Sequence, residues 1–445
     1  MKLWDKGIKL DKLIEDFSIG KDRELDMYLA KYDVIGSIAH VRMLSSIGLI
    51  NPEELPLLLK ELIGLYHQTE TGNFSIDQGI EDVHSQLEFQ LTKKLGETGK
   101  KIHSGRSRND QIILDIKLFA RENIQTVVEE VEKLFHLLIL QSEQYKDILM
   151  PGYTHLQAAM PSSFGLWFAA YAESFCDDLQ LLLSAYKISN QNPLGSAAGY
   201  GSSFPIDRHM TTELLGFEDL NYNVIYAQMT RGKTEKIVVS ALASVAATLG
   251  KLATDGCLFM SQNFDFIRLP DELTTGSSIM PHKKNPDVFE LIRSTCNKIQ
   301  ALAYEISFIS NNLSSGYFRD MQLIKESYIN SFVQLYRCLK AEYFVMERII
   351  INTKILEDKK YRSIFSVEEV NKLVLSGIPF REAYKKVSES IQNDSFQPDM
   401  KIHHTHEGSI GNLCNDKITE KFKRIKNEFP FEFVNKKINE LLTIN

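Results

Sequence analysis

Ile124-Gln125-Thr126-Val127-Val128-Glu129-Glu130-Val131-Glu132-Lys133-Leu134-Phe135-His136-Leu137-Leu138 decides the fold. Apolar side chains recur at 124, 127, 128, 131, 134, 135 and 138. Steps of three and four are the repeat of an α-helix with one buried face. The same repeat runs through Val238, Ala241, Leu242, Val245, Leu249 and Leu252, and again through Ile329, Phe332, Leu335, Tyr336, Leu339 and Tyr343. From Pro286 to about Ile309 the pattern is helical but apolar around more of its circumference, which predicts burial on several sides. Strand-like alternation is scarce and short, as near Phe264 to Leu269. Glycine and proline cluster between the helical runs, as helix punctuation should. The reading is an all-α protein of three helical domains. These are an N-terminal helical domain at 1–104, a central long-helix bundle at 105–352 and a small C-terminal helical domain at 353–445. Such wide apolar faces call for partner copies, so a homo-oligomer is expected.

Composition narrows the function. Lys plus Arg total 51 against 58 Asp plus Glu, a net charge of −7 over 445 residues. That mild acidity argues against a nucleic-acid binder, which needs a basic surplus. No apolar run of the roughly 18 to 20 residues that cross a bilayer stands out. Met1-Lys2-Leu3-Trp4-Asp5-Lys6 lacks the apolar region of a leader peptide. Five scattered cysteines in no metal spacing read as reduced thiols of a cytoplasmic protein.

Chemistry concentrates in a few stretches. Gly276-Ser277-Ser278-Ile279-Met280-Pro281-His282-Lys283-Lys284-Asn285-Pro286 joins a glycine, two hydroxyls and two lysines to a helix-starting Asn-Pro. Asn285 is expected to cap the helix and Pro286 to open it. Free N–H groups, the helix dipole and Lys283 would then attract an anion such as a carboxylate. In His103-Ser104-Gly105-Arg106-Ser107-Arg108-Asn109-Asp110-Gln111 the arginines suit bidentate carboxylate recognition, with Asn109 and Gln111 placed to orient polar groups. In Gly152-Tyr153-Thr154-His155-Leu156-Gln157 a hydroxyl can hold a carboxylate beside an imidazole able to move protons near neutral pH. Glu81-Asp82-Val83-His84 opens a helical run, where the acids serve the dipole and His84 either packs or faces a polar site. In Tyr317-Phe318-Arg319-Asp320-Met321-Gln322, followed by Lys325, Gln322 and Lys325 share a helix face and either grip a head group or form an ordinary charged face. His403-His404-Thr405-His406 has no matching carboxylate or cysteine set, so a polar loop is favoured over a metal site.

Together these stretches resemble the argininosuccinate lyases of the fumarase/aspartase superfamily, over most of the chain. The 103–111 motif is the most specific of them, and 153–157 and 276–286 are superfamily motifs in this family's form. The resemblance implies reversible anti β-elimination of argininosuccinate to L-arginine and fumarate through an aci-carboxylate carbanion, the last step of arginine biosynthesis. It implies Ser277 as base, Lys283 and loop N–H groups as stabilisers of the aci-carboxylate, and His155 on the acid side with Glu290 orienting its ring. Ser107, Arg108, Asn109, Thr154 and Asn285 would hold the substrate carboxylates. Tyr317, Gln322 and Lys325 would hold the arginine part, and His84 would line the site. It further implies a homotetramer around a twenty-helix core, active sites shared between subunits, and no metal or organic cofactor; neither nucleic acid nor membrane is an expected partner.

The chain departs from the family's pattern in places. The usual Ser-x-Asp-x-x-Ser-Asp-Arg-Asp-Phe stretch is replaced within 221–233, where Tyr226-Ala227-Gln228-Met229-Thr230-Arg231-Gly232-Lys233 stands. The usual Phe-Asn-x-Ser becomes Phe17-Ser18-Ile19-Gly20-Lys21, Phe318 stands for an asparagine, and His282 for a common glutamine. The first two fall where polar substrate groups would be held. A lyase of adenylosuccinate, aspartate or malate is one alternative, against which the 103–111 motif argues. A non-catalytic structural paralogue is another, disfavoured by intact Ser277, Lys283 and His155.

Overall fold

A computed structural model describes residues 11–443. The Met1–Lys6 stretch read above for a leader lies outside the described residues. The chain opens with α1 (Lys12–Ile19), α2 (Asp22–Asp26), α3 (Ala30–Ser46), α4 (Leu55–Glu70), α5 (Val83–Leu95) and α6 (Glu97–Lys100). Then comes α7 (Arg108–Gln144), 37 residues long. Its start is fixed by a capping box. Ser107 is extended, its Oγ accepts from the Asn109 N–H, and Asp110 accepts from the Ser107 N–H at 2.8 Å. The other Asp110 oxygen accepts from Gly195 (2.9 Å) and Ala197 (2.8 Å), which ties a distant loop to the same helix end.

A hairpin follows, β1 (Leu149–Thr154) against β2 (Gln157–Ser163). Its two-residue tip, His155 and Leu156, is left-handed at both positions (φ 53° and 58°). That matches the twist of the flanking strands. Beyond it lie α8 (Phe164–Ser189), α9 (Arg208–Leu214), α10 (Val224–Met229), α11 (Lys233–Phe259), α12 (Asp287–Ser310) and α13 (Ile324–Met346). The chain ends with α14 (Ser366–Leu375), α15 (Phe380–Gln392), α16 (Asn415–Lys426) and α17 (Phe431–Leu441). The fold is all-α, apart from that hairpin and a few two-residue strands.

The long helices form the core. α7 packs on α8 and α13, and α11 packs on α8, α12 and α13. The stripe from Ile124 to Leu138 is entirely buried, as are all six α11 positions read from the sequence. On α13, Ile329, Phe332, Leu335 and Leu339 are buried, and Tyr336 and Tyr343 are half-buried. A Cβ added to Gly256 would stand 2.9 Å from the Phe289 ring, so that glycine sets how closely α11 and α12 approach.

Two expectations need correction. Within one chain, α12 buries one stripe, Phe289, Ile292, Cys296, Ile299, Leu302 and Ile306, short of the several sides expected. Val288, Ala303 and Ile309 are partly buried beside it, while Leu291 (67% exposed), Tyr304 (70%) and Phe308 (74%) face outward. Second, α11 is long and apolar enough by composition to cross a membrane. Its apolarity serves the core instead, because it packs on three neighbouring helices.

Candidate active site

A cavity of about 220 Å³ opens where four segments meet. These are α2, the start of α5, the start of α7, and the stretch from Tyr317 into α13. Arg231, just before α11, also reaches it. Arg108, Asn109, His84, Tyr317, Gln322 and Lys325, all singled out in the sequence, line it together with Asp22, Asp26, Glu81, Asp82 and Arg319.

The lining is a set of matched charges. Arg108 Nη1 stands 3.0 Å from Asp82 and 3.4 Å from Glu81, and its Nη2 donates to Ser85 Oγ. Arg319 Nη2 is 3.0 Å from Glu81 and donates to the Ser18 carbonyl at 2.9 Å. Gln322 donates to the same carbonyl (2.9 Å) and to that of Ile19 (3.2 Å), which pins the N-terminal segment against the cavity. Arg231 pairs with Glu235 and donates to the Met321 carbonyl at 3.0 Å. Lys325 Nζ lies 2.7 Å from Asp22 and 2.7 Å from Asp26. Burial works against the Lys325 charge, but Asp26 and Asp22 outweigh it and raise its pKa.

In the cavity wall, His84 Nδ1 is 3.0 Å from Asp33 and 3.9 Å from Asp115, all three buried. Burial alone would lower the His84 pKa. Asp33 foremost, then Asp115, lift it to about 9. Burial, then the neighbouring Asp33 charge, pushes Asp115 up. Gln111 is also buried and donates to Asp33 at 3.2 Å, so it braces the histidine's partner rather than facing a substrate. Among the described residues, Asp33, His84 and Asp115 are the only grouping tight enough for a metal ion. The 3.0 Å His84–Asp33 contact and the cationic Arg106 nearby make the group a buried ion-paired network. His404 instead meets Ser409 (2.7 Å) and Glu368 (3.4 Å) in a loop.

The remaining predicted residues stand elsewhere. Ser107 is the cap beside the cavity. Thr154 and His155 sit exposed at the hairpin tip, beyond the far end of α7, which spans about 55 Å at 1.5 Å per residue. Ser277, Lys283 and Asn285 lie in the loop before α12, and Glu290 is exposed in its first turn. The 24 residues of α12 put about 35 Å between that loop and the Tyr317 segment. One chain therefore does not bring these residues to the cavity. The loop is closed at its base, where the Asn285 N–H donates to the Thr275 carbonyl at 2.9 Å. Ser277 Oγ accepts from the Met280 N–H at 3.2 Å, and Lys283 is exposed. Asn285 does not cap the helix as expected. Its side chain turns back to Thr275 and Gly276, and Pro286 takes the cap position before Asp287.

Asp22, Asp26, Arg231 and Arg319 were missed as cavity residues. Arg231 and Arg319 lie inside stretches quoted above, and their polarity was the available signal. For Asp22 and Asp26 the i, i+4 spacing on a short helix resembles any solvated face.

Residues 6–301 match the lyase family model. The argininosuccinate lyase of Phocaeicola vulgatus is 60% identical over 441 residues, covering 99% of both chains. That of Bacteroides thetaiotaomicron is 61% identical over 430 residues, covering 97% of this chain and 96% of its own. A solved structure of EDDS lyase in complex with formate shares the fold at TM-score 0.79 and 20% identity, covering 98% of this chain and 95% of its own.

Proposed function

Since the chain belongs to the argininosuccinate lyase family, we propose that its reaction is the reversible anti β-elimination of argininosuccinate to L-arginine and fumarate. The substrate is a small molecule, and the enzyme is a carbon–nitrogen lyase. Ser277 removes the proton from the carbon beside a succinate carboxylate. The electron pair left behind spreads into that carboxylate, and Lys283 with the loop N–H groups stabilises the double charge. The C–N bond then breaks, the guanidino nitrogen keeps its electron pair, and the His155 side, with Glu290 orienting the ring, delivers a proton. Ser107, Arg108, Asn109, Thr154 and Asn285 hold the succinate carboxylates. Tyr317, Gln322 and Lys325 hold the arginine part, and His84 lines the site.

The observation that supports this reading best is the cavity itself, where Arg108, Asn109, Gln322 and Lys325 converge within matched charges. Its polar, ion-paired walls suit a substrate carrying both carboxylates and cations.

Completing the site requires other copies. In one chain the loop and the hairpin tip are held at the far ends of α12 and α7. The outward Leu291, Tyr304 and Phe308 offer α12 a surface for association. A homotetramer with each site drawn from several subunits answers both observations. Five unpaired cysteines fit a cytoplasmic setting.

The test is fumarate release, followed by ultraviolet absorbance, from purified protein given argininosuccinate, adenylosuccinate or aspartate. Turnover of argininosuccinate alone is expected. Activity only on another substrate would overturn the assignment.

A further inference from the structure

The loop that carries Ser277 and Lys283 is folded on itself. Ser277 Oγ accepts from the Met280 N–H, and the Lys283 N–H donates to the Met280 carbonyl at 3.1 Å. Among the described residues, no hydrogen bond or ion pair leaves the stretch 277–283. The base of the loop alone therefore fixes where Ser277 stands. That base is a knot of three side chains. The Thr275 hydroxyl donates to the Asp287 carboxylate and accepts from the Asn285 side-chain amide at 3.3 Å. The same amide donates to the Gly276 carbonyl at 3.4 Å, and the two backbones pair at Thr275 and Asn285.

Two charged ties reach this base, and they differ in strength. Lys284 pairs with Asp271, but both side chains are mostly exposed, and such a pair is worth little. Asp287 is half-buried and is the first residue of α12, where the helix dipole favours a carboxylate. Two residues on, Phe289 is fully buried against Gly256 of α11, which holds this turn of α12 firmly. A hydrogen bond from a hydroxyl to a carboxylate is one of the stronger kinds. Thr275 and Asp287 both have short side chains, so their bond fixes the Thr275 backbone, and Ser277 follows two residues later.

We infer that Thr275 and Asp287 are positioning residues for the reaction. Through the Thr275 hydroxyl, Asp287 transmits the fixed position of α12 to Ser277 and holds the serine at the distance and angle that proton removal needs. This rests on the reaction proposed above, with Ser277 as base. Both residues act through Ser277 and not on the substrate.

The experiment measures fumarate release from argininosuccinate by the full-length assembled enzyme. Thr275→Val keeps the shape of the side chain and loses the hydroxyl, and Asp287→Ala removes the acceptor. Each should lower kcat roughly ten- to a hundredfold, as for a misplacement of about 1 Å, with KM nearly unchanged. Thr275→Ser, which keeps the hydroxyl, should retain most of kcat. The decisive arm combines Thr275→Val with Ser277→Ala. A residue that acts through Ser277 adds nothing once the serine hydroxyl is gone, so the double variant should be as slow as Ser277→Ala alone. Losses that multiply in the double variant, or a Thr275→Val kcat equal to wild type, would overturn the inference. Near-normal turnover by Ser277→Ala would instead overturn the reading of Ser277 as base, on which the inference rests.

Discussion

His84 Nδ1, in the cavity wall, lies 3.0 Å from an Asp33 carboxylate oxygen, and both side chains are buried. The histidine's folded pKa of about 9 is above its ordinary value of 6.5. Its stabilising contribution is therefore fully present below pH 6.5 and is lost as pH rises through about 9. Asp33 is shifted down by His84 against the cost of burial, so its contribution is present above its ordinary 3.8 and lost as pH falls. Asp33→Asn should cost roughly 3 kcal/mol at mildly acidic pH, as for breaking a buried ion pair. The gap from wild type should shrink towards pH 9. Melting curves across that range check it, and a gap independent of pH would remove the ion pair as its cause.

Ser277→Ala should cut fumarate release by roughly 10²–10⁴-fold, the range for removing a positioned acid–base group. The loop is largely exposed, so the melting temperature should barely move. Near-normal turnover would dismiss Ser277 as the proposed base.

Lys283→Ala should lower kcat by roughly 10²–10³-fold, as for loss of a preorganised donor to developing negative charge. If the loss falls on KM alone, Lys283 holds the ground-state carboxylate and not the aci-carboxylate.

Asp110→Ala removes the α7 capping box and the two N–H bonds to Gly195 and Ala197. A destabilisation of roughly 2–4 kcal/mol is expected from the lost cap and buried hydrogen bonds. Chemical denaturation measures it, and a loss below about 1 kcal/mol would mean that water replaces the carboxylate.

Leu291→Glu and Phe308→Glu place charges on the outward face of α12. Light scattering should report smaller assemblies, with helicity by circular dichroism retained and fumarate release lost. A variant of wild-type size and activity would exclude that face from assembly.

The helices were the legible part of the chain because their apolar spacing is a local property. The stripe from Ile124 to Leu138 could be read without knowing what covers it. The hairpin was harder: its tip is His-Leu, which carries none of the Asn-Gly or Asp-Gly signal for a left-handed turn. Asn285 misled because an Asn-Pro pair reads as a helix start, while tertiary contacts turned its side chain back to Thr275. Arg108, Gln322 and Lys325 were legible as candidates from their motifs. Their meeting with Asp22 and Asp26 was not, because Lys325 lies 299 residues from Asp26 and nothing local records such a pairing.

The length of α12 has a consequence for enzymology. A solitary folded chain keeps the lysine loop about 35 Å of helix away from the cavity that would grip the substrate. On the proposed shared site, catalytic power would belong to the encounter of chains and not to any one of them. Specific activity should stay constant on dilution until the assembly begins to dissociate, and then fall faster than the protein concentration. Added substrate or product that bridges the two parts should delay that fall, since a ligand bound only by the assembled form shifts its equilibrium by mass action.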